Sequence, residues 1–206
     1  MNYRKMCYKC NRPKNSCLCI LIKPITTKTK FITLMHPKEF RKTKNNTGRL
    51  THMSLKNSEL FVGIDFSNHK KVNDFINNPN FFSVVLYPSN KSICINDEKL
   101  ELKGKQLVVF IIDATWDCSK PMLRKSTNLY NLPKISFTHT KVSAYNFKRQ
   151  PFVNALSTIE STLSVLEILN TQEIENISDI ELKSFLKPFE ELIKFQNKFT
   201  NRARFK

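Results

Sequence analysis

Residues 106–127 read QLVVFIIDATWDCSKPMLRKST. From Leu107 to Ile112 the side chains are Leu, Val, Phe and Ile without polar alternation, the pattern of a strand covered on both faces of a sheet. The run stops at Asp113. Open α/β sheets bind ligands outside the carboxyl ends of their strands, so a carboxylate at that point marks a candidate site. Thr115, Trp116, Lys120, Arg124 and Lys125 follow at once, bringing the single tryptophan of the chain and a basic helix to the same strand end.

The flanking sequence repeats this alternation. Phe31–Met35 is a strand that breaks at His36, because Pro37 disfavours helix there, and the basic stretch HPKEFRKTKNNTGRL (36–50) forms a loop at its end. Asn46 and Thr47 suit the start of a helix through Leu50 and Met53, with anion contact as a second role in a loop carrying five positive charges. Leu60–Ile64 and Ser83–Tyr87 are strands, His69–Ile76 a weak helix, and Lys134–Thr138 another strand. The second strand ends at Pro88 and Ser89, where Ser89 reads first as a turn residue. Ser157 and Glu160 form a capping box for a helix with Ile159, Leu163, Leu166 and Leu169 on one face, which gives Thr158 and Glu160 a local structural role. Ser178 and Glu181 repeat the signature before a final helix broken near Pro188, with Phe185, Leu192, Phe195 and Phe199 on its core side. Strands alternating with helices predict a three-layer α/β domain.

At the amino end Cys7, Cys10, Cys17 and Cys19 form C-x-x-C-x6-C-x-C, two tight pairs able to converge on one ion. In a reducing compartment such a cluster holds tetrahedral zinc rather than disulfides, and four thiolates leave no open position, so the metal is structural. Residues 1–24 are therefore expected to form a knuckle displaying Lys9, Arg12 and Lys14, ahead of a main domain over 25–206. A zinc deaminase is excluded, because H-x-E followed by P-C-x-x-C is absent. Cys94 and Cys118 read as packing residues.

Lys and Arg outnumber Asp and Glu by 34 to 17, a net charge of +17 that points to a polyanion, with nucleic acid foremost. A Lys-rich compositional bias explains part of the excess but not its clustering: Lys38, Arg41, Lys42, Lys44 and Arg49; Lys120, Arg124 and Lys125; Lys141, Lys148 and Arg149. No window approaches 18 consecutive apolar residues and the first ten lack a secretory core, so a cytoplasmic protein without membrane attachment is expected. The three glycines, Gly48, Gly63 and Gly104, cannot build a dinucleotide fingerprint or a P-loop.

CYKCNRPKNSCLC, HPKEFRKTKNNTGRL, LYPS, DATWDCSKPMLRKS, NLP and YNFKRQP with LSTIE occur in that order from Cys7 to Glu160, and together they resemble the DTW-domain family. Ala114 occupies the small variable position of the name-giving motif. The resemblance implies a tRNA-uridine aminocarboxypropyltransferase, which moves the 3-amino-3-carboxypropyl group of S-adenosylmethionine to N3 of a uridine and releases methylthioadenosine. It also implies a SPOUT-like fold with a knotted cofactor region. Leu86, Tyr87, Pro88, Ser89, Asp113, Thr115 and Trp116 would then line the cofactor pocket, and Arg41, Lys42, Lys44, Arg49, Lys120, Arg124, Lys125 and Arg149 would follow tRNA phosphates. Asp113 is the candidate for removing or orienting the N3 proton, with capping of the next helix as its alternative. Trp116 either stacks on a base or packs in the core. A SPOUT-type RNA methyltransferase and a non-catalytic zinc-knuckle RNA-binding protein are the competing readings.

Overall fold

The structure, a computed structural model, describes residues 5–41, 46–139 and 156–204, with side chains described to Asn197. Six strands, β1 (Lys30–Met35), β2 (Ser58–Val62), β3 (Phe81–Leu86), β4 (Ile93–Cys94), β5 (Gln106–Asp113) and β6 (Lys134–Ser136), form one sheet in the order β2-β1-β5-β3-β6-β4. Every pairing is parallel. All six strands therefore end at one edge. β5 is flanked by β1 and β3 along its length, with Phe31 opposite Val109 and Val84 opposite the same residue from the other side.

The unbroken apolar run of β5 is explained by two cores. Leu107, Val109 and Ile111 join one cluster with Phe31, Val84 and Ile135, while Val108 and Phe110 join a second with Ile32, Leu34 and Val85. The first is covered by α2 (Thr47–Met53) through Leu50, by α6 (Thr158–Thr171) through Ile159, Leu163, Leu166 and Leu169, and by α7 (Asp179–Phe185) and α8 (Lys187–Arg204). The second is covered by α3 (Lys70–Asn77), α4 (Trp116–Lys125) and α5 (Thr127–Tyr130) through Val72, Met122 and Leu129. This is the expected three-layer arrangement.

Local differences from the sequence reading have simple causes. The basic stretch after β1 is not all loop: α1 (Pro37–Arg41) starts on Pro37, whose fixed φ suits the first helical position, and His36 Nδ1 accepts the Lys38 N–H at 3.1 Å. Asn46 caps α2 as expected, accepting the Arg49 N–H at 2.7 Å. Both capping boxes form, at Ser157 with Glu160 and at Ser178 with Glu181. The break falls between Phe185 and Lys187, just before Pro188. Phe185 and Leu192 are buried, Phe195 is half-buried, and the side chain of Phe199 lies outside the described residues. The two-residue β4 and the single-turn α5 are too short to leave a periodic signal.

The amino-terminal segment packs into the main core. Leu18 and Ile25 belong to the cluster that contains Leu192, and Ile25 bridges to Leu55 after α2. Arg12, expected on display, is instead 5% exposed: its Nε donates to the Ser16 carbonyl at 2.8 Å and its guanidinium lies 5.7 Å from the Phe195 ring centroid. At the opposite sheet edge the buried Glu175 accepts the Lys28 and Thr29 N–H groups at 2.9 and 2.6 Å, fixing the entry to β1. Among the described residues no helix is long and apolar enough to cross a membrane.

Candidate functional site

A cavity of about 840 Å³ opens where β3, β5 and β6 end. Leu86, Tyr87 and Pro88 come from the end of β3 and the residues after it, Ile111 and Ile112 from the end of β5, and Ser136, Phe137 and His139 from the end of β6 and beyond. The first turns of α4 and α6 complete it with Trp116, Asp117, Lys120, Thr158 and Ser161. The Tyr87 and Trp116 rings are 6.2 Å apart at 56°, forming an aromatic wall at the mouth. An apolar floor with a few convergent hydroxyls and charges is the usual constitution of a small-molecule site.

Asp113 lies beneath this cavity and does not line it. It is 7% exposed, its carbonyl accepts the His36 N–H at 3.0 Å, and its Oδ1 accepts the Thr158 hydroxyl at 2.6 Å. Thr158 does line the cavity, so its hydroxyl connects the buried carboxylate to the open space. The other side of the carboxylate rests on Gly48 of α2, where a Cβ would fall 2.5 Å from Asp113 Cγ and 2.9 Å from Oδ1. Only glycine permits that approach. Thr115, not Asp113, occupies the N-cap position of α4.

The other expected site residues separate. Leu86, Tyr87, Pro88, Trp116 and Lys120 line the cavity; Ser89 and Thr115 are exposed and do not. Ser89 is a turn residue whose carbonyl accepts the Ser92 hydroxyl at 2.7 Å. Arg41, Lys120, Arg124 and Lys125 are exposed, the last two in the final turn of α4, where cations suit the helix dipole. Arg49 points elsewhere: its guanidinium stacks 4.8 Å from the Phe40 centroid, and its buried Nη2 has no hydrogen-bond partner among the described residues. Lys42, Lys44 and Arg149 lie outside the described residues. Gly48, Asp117, Ser136 and His139 were not singled out from sequence. Gly48 alone carried a signal, being one of three glycines and standing inside a helix, where glycine is costly.

The four cysteines converge. Their sulfurs all lie within 4.8 Å of one another, with Cys7 to Cys19 and Cys10 to Cys17 both at 3.7 Å. A tetrahedral ZnS4 centre with bonds of about 2.3 Å requires sulfurs about 3.8 Å apart, so the donor set fits that ion. The nearest pairs cross between the two halves of the motif. The backbone amides of Cys10 and Lys9 pull the Cys7 thiol down to about 6, whereas burial and the other thiols push Cys19 up. A central cation resolves that conflict, since it lets all four be thiolates together. Burial lowers the pKa of both Arg12 and Arg49, and the charge of Cys10 opposes the shift in each. Both arginines thus feel the charge of a centre that four thiolates and one divalent ion would leave at −2.

The chain is 27% identical over 203 residues to the tRNA-uridine aminocarboxypropyltransferase 2 of Drosophila melanogaster, covering 95% of this chain and 76% of that protein. It is 26% identical over 197 residues to the protein of the same name in Mus musculus, covering 94% of this chain and spanning 64% of that relative's length. With tRNA-uridine aminocarboxypropyltransferase A of Arabidopsis thaliana the identity is 26% over 224 residues, covering 95% and 82%. No solved structure matches the chain. Residues 4–197 match the DTW domain, a span that contains the cysteine cluster, the cavity and the Asp113 contacts, and the chain belongs to the DTW domain family.

Proposed function

We propose that this protein transfers the 3-amino-3-carboxypropyl group of S-adenosylmethionine to N3 of a tRNA uridine. The observation that carries this reading is the DTW match over residues 4–197, within which the motif residue Trp116 lines a cavity at the strand ends. The net charge of +17 and the exposed Lys120, Arg124 and Lys125 suit a tRNA partner. S-adenosylmethionine would occupy the cavity against Tyr87 and Trp116 and supply an electrophilic methylene on a sulfonium. The uridine N3 forms a bond to that methylene, the carbon–sulfur bond breaks with its electron pair going to sulfur, and methylthioadenosine leaves.

The N3 proton must also leave. Asp113 is the proposed acceptor, acting through Thr158: the Thr158 hydroxyl already donates to Asp113 Oδ1, so its lone pairs remain for a donor in the cavity. A proton passing from N3 to Thr158 Oγ1 is matched by one passing from Thr158 to Asp113. Choosing the methylene over the less hindered methyl is a matter of alignment, and orientation is worth on the order of 7 kcal/mol or more.

The cysteine cluster holds structural zinc in this reading, and residues 1–24 form its knuckle on the catalytic domain of 25–206. The parallel sheet, with β6 set between β3 and β4, is read as SPOUT-like with a knotted cofactor region, and the protein as cytoplasmic. The test is to incubate zinc-loaded protein with S-adenosylmethionine and unmodified tRNA and to analyse nucleosides and small products by mass spectrometry. Aminocarboxypropyluridine with methylthioadenosine is expected. Its absence from the whole tRNA pool overturns the reading, and methyluridine with S-adenosylhomocysteine replaces it by a methyltransferase.

A further inference from the structure

The knuckle has an inner and an outer face of opposite character. Cys10, Arg12 and Leu18 are buried against the main domain. Tyr8 is 96% exposed and Ile20 89% exposed. Each directly follows one cysteine of the Cys7–Cys19 pair, whose sulfurs are 3.7 Å apart. Single exposed apolar residues are ordinary on protein surfaces, but Tyr8 stands on a turn held by its own backbone hydrogen bonds.

The turn that carries Tyr8 is fixed. The Cys7 N–H donates to the Arg12 carbonyl at 2.7 Å, Asn11 N–H to Cys7 at 2.8 Å, and Lys14 N–H to Lys5 at 2.8 Å. Asn11 takes a left-handed φ of 53°, which closes the loop tightly. Tyr8 is thus presented by a rigid support. The described charges of its own segment are basic: Lys5, Lys9, Lys14 and Lys23 are exposed, and no Asp or Glu occurs in the sequence before Glu39. A fixed, exposed aromatic ring on a segment of exposed lysines is what stacks an unpaired base while holding its phosphates.

We propose that the outer face of the knuckle, centred on Tyr8, is a second RNA site that stacks an unpaired nucleotide of the tRNA substrate outside the catalytic cavity. It rests on the proposed action on tRNA and extends it. The site adds a contact independent of the reacting uridine, so it contributes to which tRNA is held rather than to the chemistry. Lys9 and Lys14 supply the salt-sensitive part of that contact and Tyr8 the salt-insensitive part.

The experiment compares wild type, Tyr8→Ala and Tyr8→Phe in the full zinc-loaded chain. Bound zinc and melting temperature are measured first, then tRNA affinity by anisotropy and the transfer reaction with tRNA varied. Tyr8→Ala is expected to weaken tRNA binding by about tenfold or more, with the loss appearing in KM for tRNA, while Tyr8→Phe stays within about twofold of wild type. Unchanged tRNA affinity in Tyr8→Ala, as for a face that docks a protein instead, overturns the proposal. So does a loss shared equally by Tyr8→Phe, or one that tracks zinc release. Failure here leaves wild-type transfer intact; failure of the transferase reading would instead leave a Tyr8-dependent RNA binder without product.

Discussion

Replacing Gly48 by alanine puts a methyl group into the Asp113 carboxylate, 2.5 Å from its Cγ and 2.9 Å from Oδ1. Carbon contacts need about 3.5 Å or more, so something must move. Asp113 cannot swing into solvent, because it is buried at the end of β5 and held by the Thr158 hydroxyl at 2.6 Å. If the carboxylate turns away it forfeits a hydrogen bond to a charged group, worth about 1.5–3 kcal/mol. If α2 backs off instead, the strain of overpacking is similar, about 1–3 kcal/mol. Alanine in place of glycine inside a helix returns up to about 1 kcal/mol. The net expectation is a modest loss, about 0.5–2 kcal/mol in urea unfolding, with a much larger fall in transfer, about 10-fold to 100-fold, because Thr158 loses its anchor. The decisive measurement is the double-mutant cycle. With Asp113→Ala the obstacle is gone, and adding Gly48→Ala should become neutral or stabilising by up to about 1 kcal/mol. An equal cost in both backgrounds refutes the contact, and full activity of Gly48→Ala refutes its role at the site.

Thr158→Val keeps the shape of the side chain but removes a hydrogen bond from the Asp113 carboxylate, and should cost about 1.5–3 kcal/mol of stability together with most of the transfer rate; Thr158→Ser should restore both, and a fully active valine variant would remove Thr158 from the proton path. Metal analysis of reduced protein should find one zinc per chain, and stripping it should lower the melting temperature by more than about 6 °C, because Leu18 and Arg12 are packed through the cluster; an unchanged melting curve would contradict this. His52 is half-buried beside Arg49 with its Nδ1 3.0 Å from Ser58 Oγ, and burial first, then Arg49, holds its pKa below the ordinary 6.5. The unfolded chain therefore binds a proton more readily, so this contribution to stability is full above about pH 6.5 and is lost as pH falls through the lower folded value. Urea unfolding from pH 8 to 5 should show His52→Gln with a flatter decline than wild type, and parallel curves would rule the group out.

Which parts of the fold the sequence could reveal follows from the range of the interactions. β5 was legible because both of its faces are buried, so its six apolar residues in succession admit no other placement in an α/β domain. The capping boxes at Ser157 and Ser178 were legible because their partners lie three residues away. The cavity wall was partly legible, since Leu86, Tyr87, Pro88 and Trp116 sit directly after strands whose ends must share one edge of a parallel sheet. What escaped was set by long-range packing. Arg12 and Arg49 look like surface cations in any local reading, yet Arg12 is buried against Phe195 and Arg49 stacks on Phe40.

Asp113 shows the same division within a single residue. Locally it ends a strand two positions before the N-cap of α4, and a cap is all that the neighbouring sequence requires. Its contacts come instead from α6, 45 residues ahead, and from a glycine 65 residues behind on α2. A cap needs neither. A carboxylate wanted only for helix stability would sit at the surface, where exchange for Ser or Asn costs little. Here it is buried, fitted to a residue without a side chain on one face and joined on the other to a hydroxyl that opens into the cavity. α2 thus carries two residues committed to packing, Gly48 against the Asp113 carboxylate and Arg49 against the Phe40 ring.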